Sequence, residues 1–286
     1  MSFDNNITDI ISDKDIKQYQ EQGFWISPKI LNDNQISKLR SAFEKIFRGD
    51  YDAEHYGNLP ANDYDFNSSD IRQYINGWWV NNTIRNIMYT PVIGYIGARL
   101  MQSSETRVWH DQVLWKPGAE NEGENFSGGN VGWHQDYAHW QCSNTSNMCS
   151  VWIALQDVKM SNGPMRFVVG SNNWGLREDA YTFGEKDLDN LKEKYTELGK
   201  PWIEEPVLLK AGEASFHHAL TFHGSSQNMS SKPRLSYIVH MMPKGCGLKS
   251  GWNQFHGNST FLGPNAKEGS IYEGEFFPRL WPVEQK

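Results

Sequence analysis

Two periodicities divide this chain. From Ser12 to Leu100 apolar residues recur mostly at helical spacing, and from Thr106 to Met242 they mostly alternate. Ser12-Asp13-Lys14-Asp15 has the form of a capping box, predicting a helix that runs to about Gln22 and ends at Gly23. Phe24-Trp25-Ile26 reads as a short strand stopped by Pro28. A second helix begins near Asn32 or Asp33, and its stripe Ile36, Leu39, Phe43, Ile46 and Phe47 is a packing face. Residues 50–69 are polar and turn-rich, a long loop of the kind that covers active sites or stays disordered. Helical signals resume from about Asp70 to Leu100, broken near Pro91 and including Trp78 and Trp79 as packing residues.

In the strand that starts at Thr106, residues Val108, His110, Gln112 and Leu114 share one face, and Pro117 ends it. A Gly-, Asn- and Glu-rich loop over 118–130 leads to a strand through Gly132-Trp133-His134-Gln135-Asp136-Tyr137. Ser150–Gln156, Met165–Val169, Pro206–Lys210, Ala214–His223 and Arg234–Met242 are further expected strands, with a turn at Asn162-Gly163-Pro164. An exposed amphipathic helix is expected over 185–198. Many short strands preceded by helices predict a mainly β fold with flanking helices: a jelly-roll barrel under a helical N-terminal cover. No repeat or linker interrupts 1–286, so a single domain is expected.

Composition narrows the function class. The net charge of −7, with lysines and arginines scattered, offers no basic patch for nucleic acid or an anionic membrane. Three cysteines without a Cys-x-x-Cys pair argue against a disulfide framework or structural zinc. The N-terminus lacks the basic start and apolar stretch of a signal peptide, and no run approaches the roughly 18 apolar residues of a membrane span. The last residues are not a peroxisomal signal, so a cytoplasmic location is expected. Twelve Trp and twelve Tyr exceed what a core needs and fit a small-molecule pocket.

The candidate chemistry lies in His134-Gln135-Asp136. On an extended strand, residues i and i+2 face the same side, so an imidazole and a carboxylate project together. They are two parts of a 2-His-1-carboxylate triad, the set that holds non-haem Fe(II) with open positions for oxygen chemistry. The third ligand must come from another of the nine histidines. His217 and His218 compete with His223 from the same expected strand. His223 is preferred because Gly224 and Ser225 follow it and Arg234 lies on the next strand. A guanidinium there would bind a carboxylate through two parallel hydrogen bonds. Arg234, Ser236 and His240 make one face of that strand polar; Leu235, Tyr237, Val239 and Met241 make the other apolar.

With these residues in place, the chain resembles the phytanoyl-CoA dioxygenase (PhyH-like) family of Fe(II)/2-oxoglutarate-dependent oxygenases. The resemblance runs from Gln22-Gly23-Phe24-Trp25 through Trp115-Lys116-Pro117-Gly118, His134-Gln135-Asp136, Trp152, Asn162-Gly163-Pro164 and Gly170-Ser171. It closes with Ala211-Gly212-Glu213, His223-Gly224-Ser225, Asn228 and Pro233-Arg234. It implies a double-stranded β-helix, with His134, Asp136 and His223 as catalytic iron ligands. It further implies that Arg234, helped by Ser225, binds the distal carboxylate of 2-oxoglutarate, with Trp152 and Gln112 beside the cosubstrate. O2 would be consumed, and succinate and CO2 released.

The implied activity is oxidation, by hydroxylation, of a small-molecule metabolite. Asp136 argues against halogenation, which related enzymes perform with Gly or Ala at that position. Desaturation, demethylation and hydroxylation of an acyl-CoA stay open, as do a silent jelly-roll binding protein and a zinc hydrolase. Trp133, Tyr137, His139 and Trp140 flank the metal motif as candidate substrate contacts. Substrate and oligomeric state are not legible.

Overall fold

A computed structural model of the chain describes residues 7–53, 71–119, 129–180, 188–250 and 258–283. The N-terminal cover forms for the local reasons the sequence supplies. Helix α1 (Asp13–Gln22) is opened by a complete Ser12–Asp15 capping box and closed at Gly23, whose φ of 86° only glycine adopts without strain. Strand β1 (Phe24–Ser27) follows, then α2 (Asp33–Phe47), capped by Asn32 and burying the whole predicted stripe.

The expected helical stretch up to Leu100 contains a strand that the pattern hid. Strand β2 (Arg72–Ile75) precedes the short helices α3 (Gly77–Val80) and α4 (Asn82–Met88). Pro91 starts α5 (Pro91–Leu100), standing where a helix needs no N–H donor. Four residues are too few for alternation to compete with the flanking helical signals. The expected loop over 50–69 falls almost wholly outside the described residues, as do 120–128 of the loop before His134.

The remaining elements are β3 (Thr106–Lys116), β4 (Val131–His134), α6 (Asp136–His139), β5 (Cys149–Ala154), β6 (Met165–Val168), α7 (Asn190–Glu197), β7 (Glu204–Pro206), β8 (Ala214–His218), β9 (His223–Ser225), β10 (Arg234–Pro243) and β11 (Arg279–Trp281). Among the described residues they form two antiparallel sheets. The larger runs β1-β8-β5-β10-β3-β11, with β2 also on β3; the smaller runs β4-β9-β6-β7. This is a jelly-roll barrel.

Two expected strands require correction. The stretch Ala214–His223 is two strands in different sheets, β8 and β9, separated by a crossing at residues 219–222. Ala-Leu-Thr-Phe carries no turn residue, and the bend is held instead by long-range bonds such as Phe222 N–H to Ser171 Oγ. The strand expected over Pro206–Lys210 lies earlier, at Glu204–Pro206; Leu209 makes only an isolated bridge to Val158.

Alternation along the larger sheet sorts its two faces. Leu235, Tyr237, Val239 and Met241 join Val151 and Ile153 against the helices. Ile238, Leu114 and Trp152 face the other way and meet Met165 and Phe167 of the smaller sheet inside the barrel. Burial of apolar surface on both faces fixes the register, since a one-residue slip would exchange every side chain. Helix α7 buries Leu191 and Tyr195, so only its other side is exposed. No described helix is long and apolar enough to cross a membrane.

Candidate active site

His134 and His223 are directly opposed residues on the paired strands β4 and β9. Their rings lie 4.1 Å apart between centroids. The Nδ1 of each ring bonds the backbone carbonyl two residues earlier, His134 to Gly132 O at 2.8 Å and His223 to Thr221 O at 3.0 Å. A carbonyl only accepts, so each Nδ1 carries the proton and each Nε2 presents a lone pair.

Asp136 is not on the strand, as i, i+2 logic assumed. Strand β4 ends at His134, and Asp136 is the first residue of α6. Gln135 is still extended, at φ −110° and ψ 128°, so the carboxylate reaches the same space. Asp136 Oδ1 lies 3.8 Å from His134 Nε2 and 3.6 Å from His223 Nε2. The three ligand atoms fall within 4.8 Å of one another, and all three residues are buried.

The other carboxylate oxygen is committed elsewhere. Asp136 Oδ2 accepts from Ser150 Oγ at 2.7 Å and from His217 Nε2 at 3.2 Å. Ser150 Oγ also lies 2.7 Å from His240 Nδ1. Having donated its single proton to Asp136, the hydroxyl accepts from the His240 ring. Burial works against ionisation of Asp136; the imidazoles around it, His223 first and His217 through its hydrogen bond, outweigh that and hold the carboxyl well below its ordinary range. Burial pushes His134 down to about 4 and His223 well below its ordinary value, so both rings are neutral at physiological pH. Two neutral imidazoles and one carboxylate, each oriented by a second bond, fit Fe(II).

His217, a rival for the third ligand, thus acts as a hydrogen-bond donor to Asp136. His218 lies on the other face of β8, its Nδ1 accepting from Leu220 N–H at 3.0 Å.

At the other end of the site, Arg234 is buried with its guanidinium carbon 5.0 Å from the centre of the Trp152 ring. Its Nη1 donates to Gly163 O at 2.6 Å, while Nε has no hydrogen-bond partner among the described residues. Burial lowers its pKa to about 9, which leaves it charged at neutral pH. Ser225 accepts from Lys116 Nζ at 2.7 Å.

A cavity of about 240 Å3 joins the two ends, lined by the three candidate ligands together with Arg234, Ser225, Trp152, Gln112 and Gln73. His139 and Trp140 also line it. Trp133 and Tyr137 do not. Trp133 packs with Trp202 and Phe222, its indole N–H bonded to Leu188 O at 2.8 Å. Tyr137 packs with Trp140 and Met148, and its hydroxyl donates to Ser143 O at 3.0 Å. Alternation puts Trp133 opposite His134; the helical turn at Asp136 carries Tyr137 away.

Sequence reasoning missed Ser150, Lys116 and Gln73, and gave His217 only the role of a competing ligand. Ser150 had a signal, being two residues before Trp152 on one strand face. Gln73 has none, because its strand lies within a stretch of helical signals.

The sequence model of the family described as phytanoyl-CoA dioxygenase (PhyH) matches residues 19–236. An ectoine dioxygenase from Bordetella bronchiseptica is 24% identical over 267 residues, covering 82% of this chain and 77% of that protein. Human peroxisomal phytanoyl-CoA dioxygenase is 20% identical over 252 residues, covering 86% of this chain and 71% of that protein. The fold superimposes on the non-haem alpha ketoglutarate dependent carbocyclase SnoK from nogalamycin biosynthesis with a TM-score of 0.72, at 23% identity, over 96% of this chain and 98% of that one. A jelly roll whose His134, Asp136 and His223 converge, matched by the family model over most of its length, belongs to the phytanoyl-CoA dioxygenase (PhyH) family of Fe(II)/2-oxoglutarate-dependent oxygenases.

Proposed function

We propose that this oxygenase hydroxylates a compact, uncharged or zwitterionic metabolite, with succinate and CO2 as co-products. The observation that carries the reading is the charge of the cavity wall: among the described residues Arg234 is its one Lys or Arg, and it starts β10, whereas Trp140 packs 4.8 Å from the ring of His240 further along that strand. One cation is matched by the distal carboxylate of 2-oxoglutarate, which leaves no fixed positive charge for the second substrate. The net charge of −7 also opposes a polyanion at long range.

In this reading His134, Asp136 and His223 hold the iron, and Arg234 and Ser225 bind the cosubstrate's distal carboxylate. The iron supplies O2 activation coupled to oxidative decarboxylation of 2-oxoglutarate. The rest is positioning. The Trp152 face fixes the plane of the guanidinium. Ser150 and His217 keep Asp136 Oδ2 occupied, so Oδ1 is the oxygen that would bind the metal. Leu114, Met165 and Ile238 line the cavity with apolar surface that excludes water. His139 and Trp140 offer aromatic faces and neutral hydrogen-bonding groups to the substrate, with Gln112 beside the cosubstrate.

The competing substrate class is an acyl-CoA, which the name of the human relative carries. A turnover panel with Fe(II), ascorbate and 2-oxoglutarate decides between them, reading succinate and oxidised product together. Oxidised product is expected from free metabolites. Stoichiometric hydroxylation of a long-chain acyl-CoA would overturn the reading.

A further inference from the structure

We propose that Lys116 is a positioning residue for the cosubstrate: from behind Ser225 it turns the serine hydroxyl proton toward the distal carboxylate of 2-oxoglutarate and adds a second positive charge to that end of the site. The proposal rests on the reading of Arg234 and Ser225 as the carboxylate anchor.

The placement comes from the sheet. Lys116 is the last residue of β3 and is directly opposed to Arg234, the first residue of β10. Lys116 is 0% exposed and Arg234 2% exposed, and neither has an acidic partner among the described residues. Two adjacent buried cations without a counter-anion are expensive in an apolar barrel, where each wants a partner. The missing negative charge belongs at the Ser225 end of the cavity, and a carboxylate there would supply part of it.

Hydrogen-bond counting gives the direction. Lys116 Nζ donates to Ser225 Oγ at 2.7 Å and to the carbonyl oxygen of Ser226. With an anion alongside to hold Lys116 as the ammonium, Nζ has no lone pair, so Ser225 Oγ is the acceptor and keeps its own proton. No described group accepts that proton, and Ser225 lines the cavity. The hydroxyl therefore presents a donor to whatever occupies the space beside Arg234. A carboxylate would receive the Ser225 O–H and the guanidinium together. Burial and the nearby Arg234 charge draw the Lys116 pKa well below its ordinary value, a cost that an anion alongside would relieve.

A purely structural role, fastening the end of β9 through Ser226, is the competing explanation, and substrate comparison separates the two. Fe(II)-loaded full-length enzyme is titrated under argon by calorimetry with 2-oxoglutarate and with 2-oxovalerate, which has the same keto-acid end and no distal carboxylate. Lys116→Met is expected to weaken 2-oxoglutarate about tenfold or more while leaving 2-oxovalerate within about twofold. In a Ser225→Ala background the same change should cost less, because its route to the ligand is gone. Equal weakening of both acids, or of neither, overturns the proposal. Arg234→Met is run alongside. Loss of selectivity there but not in Lys116→Met isolates the failure to Lys116; no loss in either removes the carboxylate anchor itself. Should Lys116→Met not fold, Lys116→Gln, uncharged but still a donor, is judged by the same selectivity ratio.

Discussion

Each candidate iron ligand is fixed by a bond that its chemistry makes directional. A carbonyl two residues back protonates Nδ1 of His134 and His223, and two donors occupy one oxygen of Asp136. Alanine at 134, 136 or 223 is therefore expected to abolish both iron content after anaerobic reconstitution and 2-oxoglutarate turnover. His217→Ala should retain iron, with affinity weakened by about tenfold or more, the usual cost of losing an outer hydrogen bond to a metal ligand. Iron retained in His223→Ala and lost in His217→Ala would exchange their roles. Arg234→Lys keeps charge but loses the planar fork. A rise in the 2-oxoglutarate KM equivalent to about 1–3 kcal/mol, with iron binding intact, is expected; an unchanged KM would remove Arg234 from the cosubstrate site.

At the scale of elements, the turn before β6 supports the Arg234 end of the cavity. Gly163 has φ 64°, and a Cβ added there would lie 2.5 Å from Ser226 O. Its carbonyl accepts the Arg234 guanidinium. Gly163→Ala should thus lower Tm, at a cost of about 1 kcal/mol or more, and raise the 2-oxoglutarate KM together; a change in neither would mean that the turn absorbs the methyl without moving Arg234. On the opposite face of the sheet, Asp111 is buried and accepts from Tyr237 Oη at 2.7 Å and from Trp78 N–H at 3.2 Å. Burial raises its pKa from 3.8 to about 7. The folded state then binds the proton more tightly than the unfolded one. The contribution is full below about pH 4 and is lost as pH rises toward 7. Asp111→Asn keeps an acceptor and removes the titration. Its Tm relative to the parent should climb between pH 4 and 7, and a difference that is flat with pH would contradict the buried, protonatable carboxyl.

The elements also show what the sequence makes legible. Local signals sufficed for α1, α2, β3 and β10, because capping residues and period-two alternation act over a few neighbours. Asp136 was correctly associated with His134 for a partly wrong reason, since the strand ends between them and an extended Gln135 preserves the direction. The β8–β9 crossing was illegible: the bend at residues 219–222 is enforced by Ser171, Gly23 and Met148, all distant in sequence. Trp133 and Tyr137 lie off the cavity wall because adjacency in sequence does not give adjacency in a pocket when alternation intervenes. Lys116 stood in a motif that was noticed, but its bond to Ser225 spans 109 residues and appears only in three dimensions.

For the whole molecule, the barrel holds a helical cover on one face and a cavity between its sheets, with cationic and neutral ends. The cavity of about 240 Å3 is smaller than the ~300–1,000 Å3 typical of drug-sized sites. In the proposed reading, His134, Asp136 and His223 make this barrel an Fe(II)-dependent consumer of 2-oxoglutarate. The most direct measurement is succinate released by metal-stripped protein as Fe(II) is added back in air, with ascorbate and 2-oxoglutarate, alongside Asp136→Ala. Saturable release that needs Fe(II), is not restored by Zn(II) and is absent from the variant is the predicted result. Release independent of added Fe(II), or equal release by Asp136→Ala, would contradict it.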